Sequence, residues 1–121
     1  MTTPNDSVAQ ALAIDGCLAA ALVDYDSGMT LATAGAGLDL ELAAAGNTEV
    51  VRAKMRVMDS LGLDDKIEDI LITLGKQFHL IRLVSSVSGQ GLFFYVVLDK
   101  TRANLAMARR QLQTVEQSIQ I

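Results

Sequence analysis

Cysteine, proline and histidine occur once each in this chain, and tryptophan is missing. A single Cys17 excludes an intrachain disulfide and fits a reducing compartment. With His79 as the only imidazole, no His/Cys set exists to hold a transition metal. Long basic runs are also missing. The formal net charge is −4, and positive charge gathers only at Arg52, Lys54 and Arg56 and at Arg109 and Arg110. That is too little to track a phosphate backbone, so nucleic acid is not an expected partner. Long apolar runs are missing too. Residues 17–23 are far too few to span a bilayer, and residues 1–6 hold neither a basic nor an apolar leader segment. The expectation is a cytoplasmic protein with no direct membrane insertion.

What is abundant is aliphatic side chain. Half of the 121 residues are hydrophobic and a fifth are charged, which suffices for one core and one domain over residues 1–121. So much aliphatic surface on so small a chain also favours association with a second copy.

The chain is organised around residues 48–63, which read as the second half of a long helix, and residues 67–75, which read as the strand that follows. At about 100° per residue, Val50, Val51, Ala53, Val57, Met58 and Leu61 share one arc with Met55 at its edge. Arg52, Arg56 and Asp59 lie on the other side. Lys54 alone interrupts the apolar arc. The strand is apolar from Ile70 to Leu74.

Around this pair the other elements follow in order. Residues 1–5 form a frayed polar lead. Asp6 or Ser7 caps a short helix to Ile14. Residues 17–25 are apolar on both alternating faces, as in a strand covered on both sides. Asp26-Ser27-Gly28 turns the chain into a second strand, residues 29–34. Gly35 and Gly37 open a loop, and Asp39 caps the long helix, with Gly46-Asn47 as its weak point. Residues 67–75 and 78–86 form a second hairpin. Residues 85–91 read as a mobile Ser/Gly loop, and residues 91–98 as a central strand. Asp99 or Thr101 caps a last helix with an apolar stripe at Leu105, Ala108, Leu112, Val115 and Ile119. The fold class is therefore α+β, with the order α-β-β-α-β-β-β-α and hairpins that make the sheet largely antiparallel.

Chemistry is sparse. Asp64, Asp65, Glu68 and Asp69 read as solvated surface rather than a metal site. His79 has no nucleophile near it in sequence. Cys17 opens an apolar strand, where it behaves as a small hydrophobe. Gly35-Ala36-Gly37 lacks the Lys-Ser/Thr ending of a phosphate loop. The expectation is no catalytic residue, no metal and no cofactor.

The element order, with Asp24, Asp26, Gly28, Ala34-Gly35-Ala36-Gly37, Asp39 and Glu41 at the turns and the helix start, resembles the roadblock (dynein light chain roadblock-type) family. The likeness is strongest to its actinobacterial members. That resemblance implies a three-layer α/β/α domain with a five-stranded antiparallel sheet ordered 2-1-5-4-3. It implies a homodimer through the long helix and the third strand, and a small Ras-like GTPase as partner, with a sensor kinase-like protein as a further one. On this reading Val50, Val51, Lys54, Met55, Val57, Met58, Leu61, Ile70, Ile72 and Leu74 form the dimer interface. The charged flank Lys66, Glu68 and Asp69 sets its register. Arg52, Arg56 and Asp59 are the candidate GTPase-binding row, two copies lying near the two-fold axis. The function is then non-enzymatic regulation of the GTPase. The alternatives are a scaffold bridging the kinase-like protein to its partners, and a small-ligand sensory domain.

Overall fold

A computed structural model describes residues 2–85 and 90–119. The elements are α1 (Pro4–Leu12), β1 (Cys17–Asp24), β2 (Met29–Gly35), α2 (Leu40–Ser60), β3 (Asp69–Thr73), β4 (Gln77–Leu83), β5 (Leu92–Asp99) and α3 (Leu105–Ser118). The five strands form one sheet in the order β2-β1-β5-β4-β3, and every pairing is antiparallel. Element order, sheet order and layering are those expected.

Alternation along the strands sorts the core into two layers. Ala20, Leu22, Leu80, Phe94, Val96 and Leu98 pack with α1 and α3 on one face. Ala19, Ala21, Val23, Ile81, Phe93, Tyr95 and Val97 pack with Ala44 and Val51 of α2 on the other. The central strands β1 and β5 are apolar on both sides because helices cover both. Ala19, Ala20 and Ala21 are fully buried, and their short side chains let α1 and α2 approach closely.

Two helix starts differ from expectation. Thr3, not Asp6 or Ser7, caps α1, accepting from the Asp6 amide, and Pro4 opens the helix. Proline suits a first turn because its missing N–H needs no partner there. Thr2 is not frayed: it bridges Ile119 in parallel and its hydroxyl lies 3.1 Å from that of Ser118. Asn104, not Asp99 or Thr101, caps α3, while Asp99 closes the preceding turn by accepting from the Thr101 amide and hydroxyl. Those two bonds hold the Asp99 carboxyl below the usual carboxylate range. Asp39 does cap α2, accepting from the Leu42 amide. The helix runs through Gly46 and Asn47 without a break. The mobile loop expected at residues 85–91 falls partly on residues 86–89, outside the described residues.

Gly35 ends β2 at φ +90, and a Cβ there would press on the Leu18 carbonyl oxygen and the Ala19 backbone. Both the left-handed backbone and the close approach demand glycine. Gly35→Ala is expected to cost roughly 2 kcal/mol or more, from backbone strain and overpacking together. Urea unfolding at fixed protein concentration checks this.

The two sheet edges are unequal. At β2 the register slips between Leu22 and Val23, so that Leu22 pairs with Ala32 but Val23 with Thr30. Leu31 is the extra residue of a bulge, which twists an edge away from further pairing. At β3 the pairing with β4 runs unbroken from Asp69 with Arg82 to Thr73 with Phe78. That edge is regular, apolar and free of proline.

Candidate interaction surface of α2 and β3

The side chains of α2 divide into three rows. Ala44, Thr48 and Val51 are buried on the sheet, with Met55 half-buried beside them. Val50, Lys54, Val57 and Leu61 follow at i, i+4, i+7 and i+11 along one flank. There Val57 is 47% and Leu61 66% exposed. Arg52, Arg56 and Asp59 run along the opposite flank, exposed and with no ion pair among the described residues.

Contacts orient these rows. Glu41, on the Arg52 side of the helix, accepts from the Thr30 hydroxyl of β2 at 2.9 Å. On the other side Lys54 and Met58 line a cleft of about 470 Å³ with Ile67, Glu68 and Asp69. The apolar row with Lys54 therefore faces the β3 side, and the arginine row faces the β2 side. Helix α2 packs mainly on β1 and β2. Over β4 and β3 the same sheet face carries the half-buried Ile70, Ile72 and His79, and Leu74 stands exposed just past the strand end.

Of the expected interface residues, Val51 belongs elsewhere. It is fully buried against its own sheet and cannot meet a partner. The sequence arc was broad because it summed two directions, one toward the chain's own sheet and one sideways. Val50, Lys54, Met55, Val57, Met58, Leu61, Ile70, Ile72 and Leu74 keep surface. Asp69, read as part of the charged flank, has partners within its own chain. Asp69 points to the α3 face, where it accepts from Arg109 Nε at 3.0 Å and Nη2 at 3.1 Å.

That contact belongs to a charged network which sequence reasoning missed. Arg82 Nη1 lies 3.9 Å from Asp69, and Arg82 Nη2 donates to Glu116 at 3.4 Å. Glu116 is fully buried and accepts from the Ser85 amide and hydroxyl. The network ties β3 and β4 to α3. A signal existed. Arg82 shares strand parity with Phe78 and Leu80, and Glu116 follows Leu112 and Val115 on the buried stripe of α3. Both charges thus sit at inward positions.

The groups weighed for chemistry are placed as follows. Asp64, Asp65, Glu68 and Asp69 do not converge, and among the described residues no three His, Cys, Asp or Glu side chains come together. Cys17 Sγ donates to the Ala19 carbonyl oxygen, and burial pushes its thiol up to about 11. At pH 8 roughly one molecule in a thousand then carries the thiolate, against about one in four for a free thiol. Ellman's reagent is expected to react with Cys17 roughly a hundred-fold more slowly than with a small-molecule thiol, a rate read at 412 nm as an order-of-magnitude test. His79 accepts and donates within a short polar chain, taken up below. Among the described residues, no helix is long and apolar enough to cross a membrane.

Comparison with known proteins gives structural likenesses. No family model matches, and no curated protein matches by sequence. Among solved structures, a Roadblock/LC7 domain from Streptomyces avermitilis superposes with a TM-score of 0.77 at 14% identity, covering 91% of this chain and 88% of that one. The fold is the roadblock fold. MglB of Myxococcus xanthus superposes with a TM-score of 0.74 at 16% identity, over 94% of this chain and 85% of that one. An MglB with a tetrameric arrangement gives 0.70 at 18% identity, over 92% and 85%. At such identities the roadblock likeness is one of architecture, spanning nearly the whole chain.

Proposed function

We propose that this roadblock-fold chain is a cytoplasmic, non-enzymatic homodimer that binds a small Ras-like GTPase and tunes its GTP hydrolysis. The observation that carries the reading is the β3 edge together with the flank of α2 beside it. An unbroken apolar edge is an aggregation hazard unless it is paired. Pairing it with its own two-fold mate saturates both rows of backbone groups and closes the assembly. The row Val50, Lys54, Val57 and Leu61 then meets the partner's α2, the Lys54 stem lying over apolar surface with its ammonium in water. The bulged β2 edge leaves β3 as the free edge suited to this. The tetrameric arrangement of one MglB neighbour is in keeping with self-association.

The paired α2 helices and the sheet beneath them make a flat platform. Arg52, Arg56 and Asp59 are exposed there without partners among the described residues, so their charges are free to meet a GTPase. Because this row lies on the side of α2 away from Lys54, the two copies flank the platform rather than sit beside its axis. Arginines on a flat helix reach poorly into a nucleotide site. The reading is therefore that the platform positions the GTPase's own residues.

Titration with a small Ras-like GTPase from the same organism, loaded with GDP and then with GTP, tests this. Arg52→Glu with Arg56→Glu is expected to weaken binding at least about ten-fold, mostly through the association rate and most strongly at low salt. No binding of the unaltered chain in either nucleotide state would sink the reading.

A further inference from the structure

On the α2 side of the sheet, β4 and β5 carry a short polar chain. His79 Nε2 lies 2.9 Å from Gln77 Oε1, and Nδ1 lies 3.0 Å from the Tyr95 hydroxyl. The His79 and Tyr95 rings meet edge to face, with centroids 5.5 Å apart. Tyr95 in turn is hydrogen-bonded by the Asn47 side chain of α2. Since Gln77 Oε1 only accepts, Nε2 carries the proton and Nδ1 accepts from the Tyr95 O–H. The neutral ring is thus satisfied at both nitrogens. A second proton would make Nδ1 a donor, and the Tyr95 O–H would have to rotate so that its oxygen accepts.

The residues paired directly with His79 are apolar. Across β3 its paired neighbour is Ile72, and across β5 it is Val97. From α2 above, Asn47 reaches Tyr95. On the same face of β5, Tyr95 and Asp99 stand two residues to either side of Val97, the Asp99 carboxylate being engaged by the Thr101 amide and hydroxyl. On β3, Asp69 faces the opposite side of the sheet, and Glu68 stands at the far end beside Lys54. Burial alone already pulls the His79 pKa below its ordinary value. His79 is still only half-buried, and it lies one strand in from the β3 edge.

We propose that His79 is a proton-operated release for self-association: taking up a proton in mild acid separates the paired copies. The inference rests on the pairing described under Proposed function. A second copy laid along β3 and the α2 flank completes the burial of the ring and removes the water that would solvate a cation. The paired state therefore binds the proton more weakly than the single subunit. By linkage, pairing is at full strength above the single subunit's own value, itself below the ordinary value of about 6.5, and weakens as pH falls through it.

Dimer dissociation constants measured by sedimentation at pH 7.5 and 5.5 test this. The full chain is expected to pair at least ten-fold more weakly at pH 5.5; a one-unit difference at each of two rings amounts to about a hundred-fold once both single-subunit rings are protonated. His79→Phe keeps the edge contact with Tyr95 and is expected to hold its constant within about three-fold between the two pH values. An unchanged constant in the full chain, or an equal loss in His79→Phe, would overturn the inference while leaving the pairing standing. Absence of any dimer at pH 7.5 would overturn the pairing itself and this inference with it. A second readout needs no variant. The single imidazole gives one NMR titration, whose midpoint is expected to be lower in a concentrated, paired sample than in a dilute one. Equal midpoints would refute the proposal.

Discussion

On the pairing proposed above, Ile72→Arg is expected to yield a folded single subunit in place of the dimer. Ile72 lies mid-strand in β3, on the sheet face shared with α2 and half-buried within its own chain. In a lone subunit the new guanidinium reaches water from this edge, so folding survives. In the proposed two-fold pair, each new guanidinium would be buried in the seam. Burying unpaired charge costs about 3–5 kcal/mol. The dissociation constant should therefore rise at least a hundred-fold, enough to abolish pairing at micromolar concentration. Mass in solution checks the effect, and far-UV circular dichroism checks that the fold persists. Leu31→Arg, on the bulged β2 edge, should leave the mass unchanged. A dimer that survives Ile72→Arg would remove β3 from the interface.

Glu116→Ala is expected to be the most destabilising single change within one subunit. It deletes a fully buried carboxylate that accepts from Arg82 and twice from Ser85. Arg82 would keep only Asp69, at 3.9 Å, and its Nε already has no acceptor among the described residues. An uncompensated buried guanidinium costs about 3–5 kcal/mol, a large share of the roughly 5–15 kcal/mol that holds a domain of this size together. Replacing both partners, Arg82→Met with Glu116→Leu, is expected to recover most of that loss, because the desolvation penalty disappears with the charges. Urea unfolding checks both at one protomer concentration, since any dimer makes stability depend on it. A single-variant cost under about 1 kcal/mol would show that the network is solvated rather than buried. A double variant as unstable as the single one would show that its shape, not its charge, matters.

The legible parts of the fold were the periodic ones. Residues 17–25 and 91–98 are apolar at both parities, and that pattern marked β1 as covered on both faces and β5 as central. The stripe from Leu105 to Ile119 matched the buried side of α3. The caps of α1 and α3 were misread because several residues with side-chain oxygens stand near each helix start. Thr3, Asp6 and Ser7 compete at one end, and Asp99, Thr101 and Asn104 at the other. Local chemistry permits each of them, and the tertiary position of the first helical turn selects one. At the candidate surface, the apolar arc of α2 was seen but not its division. Val51 faces its own sheet while Val50 and Val57 face sideways, and one-dimensional periodicity cannot separate two adjoining directions. Asp69 was read with its acidic neighbours. Its true partners, Arg82 and Arg109, stand 13 and 40 residues away.

By itself the amino-acid order determined the eight elements, their sequence along the chain and the two-sided burial of the central strands, because these follow from local periodicity and turn chemistry. Only the three-dimensional packing decided which edge stays open, which way each row of α2 points, and which buried charges find each other. Those are long-range facts. A bulge opposite Leu22, an arginine on β4 and a glutamate on α3 acquire meaning only once the sheet brings distant segments within a few ångströms.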